Sequence, residues 1–249
     1  MSSFNRKVKL TVINDFICAN CCIGQHELIS AISYCQETLH LPLTFELEFL
    51  PFRLLPTDVV NDEAPKIPKD DWYIKKFGEK KYAEFQACVK KWGEEKGIPL
   101  SFNGVMSQST RAHRLSRKAY LMGGQEKQLP VLCGIFKAYM EESKDICDID
   151  VLADVAEQAD VMTREEAIAF LNSDELEAEV NGMCNEARSK GVSGVPMTVI
   201  DGKWVLNGGQ SSDVFVQVFK KLAYAGVHAA PSPFSAPVHE VSPQIQLKS

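Results

Sequence analysis

Cys18-Ala19-Asn20-Cys21-Cys22 gathers three of the chain's eight cysteines into one short run. Two thiols three positions apart can close and reopen a disulfide. If Cys18 stands where a helix begins, the unpaired backbone N–H groups and the helix dipole favour a thiolate over a thiol. A thiol so placed ionises below the ~8.5 of a free cysteine. Cys21 then lies about one turn deeper on the same face. The chemistry this predicts is thiol–disulfide exchange, with Cys18 as the exposed nucleophile and Cys21 as the resolving thiol. Two other uses of the pair are packing alone and metal ligation. A closed zinc site needs four ligands, typically from a second C-x-x-C or a pair of histidines. The sequence has no second pair, and Cys22 and His26 would complete a set only at awkward helical angles, so no metal is expected. Cys35, Cys88, Cys133, Cys147 and Cys184 are scattered singly, as free cysteines that pack as small apolar residues usually are.

The elements that must position the pair can be read from periodicity. Lys7 to Phe16 alternates, with Val8, Leu10, Val12 and Phe16 on one face and Ile13 on the other, which predicts a strand buried on both faces near its end. From Cys21 to about Leu39 the pattern is helical, with Leu28, Ile32 and Cys35 on one stripe and His26 towards solvent. Leu43 to Phe49 alternates strictly and predicts a second strand, joined to the first as a right-handed, parallel β-α-β unit. Asp70 to Gly191 reads as almost wholly helical. Gly97 and Pro99 end one stretch; Ser109 or Thr110 caps a helix through Met122; Leu129 to Ser143 is another. Asp150 is the expected N-cap for 151–160, Thr163 to Glu166 is a capping box, and a last helix runs from Ser173 to Lys190. Met197 to Asp201 and Lys203 to Leu206 are strands around an Asp201-Gly202 turn, and Ser211 or Ser212 caps a final helix through Tyr224. The C-terminal 225–249 is rich in proline and without periodicity, and reads as a flexible tail. The fold expected is α/β, β-α-β followed by β-β-α, with a large all-helical insertion. Residues 1–60 and 191–224 form one domain and 61–190 the insertion. A C-x-x-C pair at the strand-to-helix junction of such a unit is a thioredoxin-like signal.

Composition narrows the function classes. The 249 residues are 45% hydrophobic and 24% charged, as in ordinary globular proteins. A net charge of −6 argues against a nucleic-acid partner. No apolar run reaches the length of a membrane span, so no membrane partner is expected. The N-terminus lacks the apolar core of a secretory signal, and the C-terminal Leu-Lys-Ser is not a peroxisomal address. The expectation is a cytoplasmic protein whose thiols are kept reduced.

The chain resembles the DsbA-like thioredoxin family, in particular its FrnE-like, polyketide-associated branch, from about Val8 to Ala223. The resemblance is carried by Asp15 to Gly24, by Pro51-Phe52-Arg53-Leu54-Leu55-Pro56, by Ala112-His113-Arg114, by Arg164-Glu165-Glu166-Ala167 and by Gly194-Val195-Pro196. Val199 to Gly202, Gly208-Gly209-Gln210 and Val214-Phe215 complete it. It implies a thioredoxin fold and a thiol–disulfide oxidoreductase that needs no prosthetic group. Thioredoxin-like sites set a cis-proline opposite the cysteines, which assigns that place to Pro196. Val195 before it would offer its backbone to an extended substrate as an added strand does.

This sequence departs from the branch's usual C-P-W-C-Y: Ala19 and Asn20 replace Pro and Trp, and Cys22 replaces Tyr. The residues between the cysteines tune the potential, and an Asn20 amide directed at Cys18 would favour the reduced state. Cys22 is either an apolar helix residue or an alternative resolving thiol. Asp15 either relays a proton to and from Cys21 or caps the helix. His113, on an insertion helix that the family packs over the site, either lowers the Cys18 pKa as an imidazolium or is a core histidine. Kappa-class glutathione transferases and 2-hydroxychromene-2-carboxylate isomerases share this architecture with a serine at the first active position. They imply an alternative in which glutathione is a co-substrate, meeting Val195, Gln210, Ser211 or Ser212, its carboxylate drawn to the last helix's N-terminus. A third reading is a non-catalytic peptide-binding holdase. A fourth is a tailoring enzyme on a small molecule, with Trp72, Tyr73, Phe77 and Phe102 lining a pocket. The partner expected is a protein or small molecule bearing a disulfide or thiol, and the chain acts as a monomer or homodimer.

Overall fold

β1 (Arg6–Asn14) is the strand that everything else is hung upon. Its Val8, Leu10 and Val12 are buried on one face, and from Val12 onward every residue is buried, as the apolar run at its end predicts. It lies in the middle of a four-stranded sheet of order β2-β1-β3-β4, where β2 is Leu43–Pro51, β3 Met197–Ile200 and β4 Trp204–Asn207. β1 and β2 run parallel, pairing Leu10 with Leu47 and Val12 with Phe49. β3 runs antiparallel to β1, pairing Leu10 with Ile200 and Ile13 with Met197. β3 and β4 form a hairpin, turned by Asp201 and Gly202 at φ values of 51° and 67°. Asp201 tolerates this left-handed backbone as Asp and Asn do, and Gly202 adopts it without steric cost. The structure is a computed structural model describing residues 5–55 and 66–224. Pro56, the expected domain boundary at 60–61 and the expected tail 225–249 lie outside the described residues.

α1 (Ala19–Ser33) follows β1 and continues as a π-helical turn over Tyr34–Thr38. α8 (Ser212–Tyr224) packs beside it and buries Phe215, Val216, Phe219 and Leu222. Phe219 meets Phe45 of β2 at 4.6 Å between ring centroids. Among the described residues six α-helices lie between β2 and β3: α2 (Lys69–Phe77), α3 (Glu79–Glu95), α4 (Thr110–Phe136), which continues as a π-helical turn over Lys137–Glu141, α5 (Ile149–Gln158), α6 (Arg164–Asn172) and α7 (Glu177–Ser189). One apolar core runs without interruption from the sheet into these helices, joining Leu10 and Phe16 to Leu132, Phe136 and Leu152.

Several boundaries differ from the sequence reading: β1 stops at Asn14 rather than Phe16 and α1 begins at Ala19 rather than Cys21, and four further differences have a clear local reason. The continuous helix expected after Asp70 breaks at Gly78, whose φ of 81° suits only glycine readily. The helix expected from Leu129 begins soon after Gly124, where α4 bends at Gly123-Gly124 and resumes. α5 is capped by Asp148, not Asp150; the Asp148 carboxylate accepts the Asp150 N–H at 2.8 Å. The helix expected from Ser173 starts instead at Glu177. Arg114, 2% exposed, takes the Ser173, Phe170 and Glu175 carbonyls at 2.6, 3.1 and 2.7 Å. Its guanidinium fork holds those carbonyls in a turn. The Thr163–Glu166 capping box forms as read.

The early resumption of α4 has a consequence for the sheet. β2 is an edge strand, and such an edge leaves a row of unpaired backbone groups. Gln125 accepts the Leu47 N–H at 2.6 Å. Gln128, fully buried, accepts the Phe49 N–H at 2.9 Å and donates to the Phe49 carbonyl at 2.8 Å. Two glutamines thus do for the edge what a fifth strand would. Gln128→Leu should leave both Phe49 groups buried and unpaired, and lower stability by about 2–3 kcal/mol. Urea unfolding monitored by circular dichroism measures this, and an unchanged midpoint would refute the role.

Candidate active site

The turn from β1 into α1 carries the dithiol. Cys18 is the N-cap residue of α1, in extended conformation, and its carbonyl accepts the N–H groups of Cys21 and Cys22 at 3.0 and 3.2 Å. Its own N–H closes the preceding turn on the Asp15 carbonyl at 3.1 Å. The first helical turn holds no acidic residue, so no carboxylate of that turn offsets the positive end of the α1 dipole at Cys18. Cys18 is 9% exposed, Cys21 2% and Cys22 fully buried. Cys18 is therefore more covered than the exposed nucleophile expected, though it is still the most accessible of the three.

Part of that cover comes from the far end of the chain. The Val195–Pro196 peptide is cis, as expected, and the Val195 carbonyl oxygen lies 3.6 Å from Cys18 Sγ. Small residues permit this closeness. A Cβ on Gly24 would sit 3.3 Å from Pro196 Cγ, and one on Gly209 would sit 2.7 Å from the Trp92 ring. The Gly208 N–H returns to the Pro196 carbonyl at 2.8 Å.

Beneath the cysteines lies Asp15, with no exposed surface. One carboxylate oxygen accepts the Leu54 N–H at 2.7 Å; the other is 3.3 Å from His113 Nε2. His113 Nε2 is also 2.9 Å from the Phe52 carbonyl. The histidine is 3% exposed and packs against the Phe16 ring at 4.8 Å. It is engaged with Asp15 rather than with the Cys18 thiol. Burial pushes the Cys21 thiol well above its ordinary range, reinforced by the adjacent Cys18 and the Asp15 carboxylate and opposed by the Asp15 backbone. Cys22 is pushed up too, by burial first and then by the negative charge of Glu141, Cys133 and Cys18.

Other expected site residues fall as follows. Asn20 is half-buried in the first turn of α1, and among the described residues no hydrogen bond joins its amide to Cys18. Gln210 turns its amide back onto the Asn207 carbonyl at 2.7 Å. Ser211 is exposed, and its carbonyl takes the Val214 and Phe215 N–H groups of α8. The Ser212 N–H, at the helix end expected to attract a ligand carboxylate, is already taken by Glu27 at 2.8 Å. Trp72, Phe77 and Phe102 belong to an aromatic cluster in which Tyr73 stacks on Tyr82 at 5.1 Å. Within it, the Tyr73 hydroxyl is pushed up by burial first and then by the charges of Cys18 and Asp15.

Glu27 is the residue that sequence reasoning passed over. It is 1% exposed and accepts Trp92 Nε1 at 3.0 Å, Lys96 Nζ at 3.0 Å and the Ser212 N–H. It thereby ties α1 to α3 and α8 beside the cis-proline turn. Its signal was its place seven residues after Asn20, on the same side of α1 and two turns on. Burial pushes its carboxyl up, but the bonds from Lys96, Trp92 and Ser212 outweigh this and hold it below the ordinary range. A depressed folded value gives stability that is complete above the unfolded value of about 4.3 and lost as pH falls through the folded one. The stability advantage of wild type over Glu27→Gln should therefore be about 2 kcal/mol near pH 6 and shrink towards pH 3. Urea titrations at several pH values measure it; a constant difference would refute the role.

A dithiol at a helix start, with a cis-proline beside it and a sheet of order β2-β1-β3-β4 beneath, is the arrangement of a thioredoxin fold. The sequence profile of the DSBA-like thioredoxin domain matches residues 9–220, and the chain belongs to that family. Among solved structures, a Streptomyces coelicolor protein described as a probable DsbA oxidoreductase superposes with a TM-score of 0.75 at 20% identity, over 92% of this chain and 94% of its own. A 2-hydroxychromene-2-carboxylate isomerase superposes with a TM-score of 0.64 at 16% identity, over 88% and 98%. The cytosolic disulfide reductase DsbM of Pseudomonas aeruginosa, solved with GSH, gives 0.57 at 16% identity, over 86% and 98%. At these identities the likeness is one of fold. Among curated proteins none matches the chain significantly. Among the described residues no helix is long and apolar enough to cross a membrane, and no cluster of side chains is suited to a metal ion.

Proposed function

We propose that the protein is a thiol–disulfide oxidoreductase of the FrnE-like type, working through Cys18 and Cys21. The observation that carries this is the place of Cys18 Sγ, between the start of α1 and the Val195 carbonyl 3.6 Å away. The Cys18 thiolate attacks a substrate disulfide; one substrate sulfur leaves as thiolate and the other becomes bonded to Cys18. Cys21 then loses its proton and attacks Cys18 Sγ, which forms the Cys18–Cys21 disulfide and releases the second substrate sulfur. The substrate gains the two electrons that the dithiol loses, and the reverse sequence oxidises a substrate dithiol.

In this reading Asp15 is the base that takes the Cys21 proton, because its carboxylate is buried beside a thiol that burial keeps protonated. Val195 and Pro196 guide the substrate: when a substrate chain displaces the Cys18 thiol from the Val195 carbonyl, that oxygen is free to pair with its backbone. Cys22 is read as a packing residue because, of the two buried thiols, it is Cys21 that hydrogen-bonds to Cys18. Glutathione enters as reductant or substrate rather than through a transferase site, since Glu27 occupies the Ser212 amide that its carboxylate would use. The scattered single cysteines favour a reducing, cytoplasmic setting.

Insulin-disulfide reduction tests the assignment. Cys18→Ser should abolish it. Cys21→Ser should accumulate a mixed disulfide on Cys18, visible by mass spectrometry, and Cys22→Ser should keep activity within about twofold of wild type. Activity that survives Cys18→Ser would point to a holdase, and a Cys21→Ser protein that still turns over would reject Cys21 as the resolving thiol.

A further inference from the structure

Donors from two helices converge on a single carboxylate of a third. Trp92 lies near the end of α3, and Lys96, the residue that caps it, follows one turn on. Trp92 Nε1 and Lys96 Nζ each lie 3.0 Å from one oxygen of Glu27. The other oxygen accepts the Ser212 N–H, at the start of α8, at 2.8 Å. Burial works against the Glu27 charge, and the bonds from Lys96, Trp92 and Ser212 overcome it. An ammonium, an indole N–H and a helix-terminal N–H around two carboxylate oxygens make a receptor for a free carboxylate. Here the chain fills that receptor with its own side chain, which is 1% exposed.

The filled seat lies along α1 from the dithiol. Cys18 and Glu27 are separated by about 13–14 Å of helix axis, and a long side chain on a helix leans back towards its N-terminus. The Trp92 ring stands on the way. A Cβ on Gly209 would sit 2.7 Å from Trp92 Cη2 and 3.4 Å from the Asn20 carbonyl oxygen. The same loop comes up to the cis-proline, because a Cβ on Gly24 would sit 3.3 Å from Pro196 Cγ and 3.6 Å from Gly209 Cα. The indole edge, the first turns of α1 and the loop after β4 therefore meet between Cys18 and the start of α8.

We propose that Glu27 is a specificity-determining residue: it fills, from within the chain, the seat that a substrate carboxylate would take, and so turns the dithiol towards polypeptide disulfides and away from small disulfides that carry free carboxylates. This specificity rests on the exchange reaction proposed above and names its substrate class. A tethered carboxylate competes at high effective concentration, and its charge repels a second one. A small disulfide thus loses its best anchor beyond the reacting sulfurs. A polypeptide loses nothing, because what it offers beside Cys18 is backbone, for which the Val195 carbonyl is the partner.

Two measurements on the full chain test this. Glu27→Ala vacates the seat and leaves its donors in place. Acetate should then raise the urea midpoint of the variant, and not that of wild type, relative to chloride at equal ionic strength. In stopped flow, the reduced protein is oxidised by glutathione disulfide or by a disulfide-bridged peptide with both ends capped. The ratio of the two rate constants should move towards glutathione disulfide by about tenfold in Glu27→Ala. Trp92→Ala, which uncovers the seat, should move the ratio the same way and serves where Glu27→Ala does not fold. A ratio that stays at the wild-type value would overturn the proposal, whatever acetate does. Acetate that stabilises Glu27→Ala no more than wild type would overturn it too. Failure of the exchange reading itself looks different, since neither disulfide would then oxidise the wild-type dithiol.

Discussion

The register between β1 and β3 is the constraint on which the site depends. Ile13 pairs with Met197, and from that pairing Cys18 and Val195 meet although 177 positions separate them. Strand side chains alternate faces, so a slip of one residue would reverse which face of β3 is buried and carry Val195 away from the sulfur. The register is secured by burial of Thr198 and Ile200 on one side of β3 and by close contacts at its start. Gly24 lets the proline approach α1, and Gly209 lets Trp92 approach the following turn.

The helices inserted between β2 and β3 do more than cover the sheet. α4 alone performs three tasks along its length. Near its start, His113 reaches under the dithiol to Asp15. One residue on, Arg114 gathers the carbonyls at the end of α6. After the Gly123-Gly124 bend, Gln125 and Gln128 complete the open edge of β2. α3 makes a separate tie through Trp92 to Glu27 and the α8 terminus. The core is continuous across both parts, so the insertion shares in the stability of the site it covers.

Buried carboxylates recur in this arrangement, and their partners set their tasks. Glu27 receives a lysine, an indole N–H and a backbone N–H, a set that holds a charge in place and links three helices. Asp15 receives one backbone N–H and half of a shared imidazole hydrogen. In the proposed exchange, Asp15 is the carboxylate nearest the thiol that burial keeps protonated and that must give its proton up.

Local chemistry made much of this legible in the sequence. Alternation announced β1 and β2, Asp201-Gly202 announced the hairpin, the Thr163–Glu166 box announced α6, and the C-x-x-C spacing at a strand-to-helix junction announced the dithiol. Each signal rests on interactions within a few residues, which a sequence displays directly. The fold followed from those signals taken together, and the family from the resemblance that the motifs around them carry. Where neighbours compete, the sequence was ambiguous: Asp148 and Asp150 are equally good caps on paper, and Ser173 lost its helix only because Arg114, 59 positions earlier, draws its carbonyl away. The pairing of His113 with Asp15, the burial of Glu27 and the glutamine plug on β2 were beyond it. All three depend on which surfaces meet once the chain has closed on itself, and side chains distant in sequence become partners only through that packing.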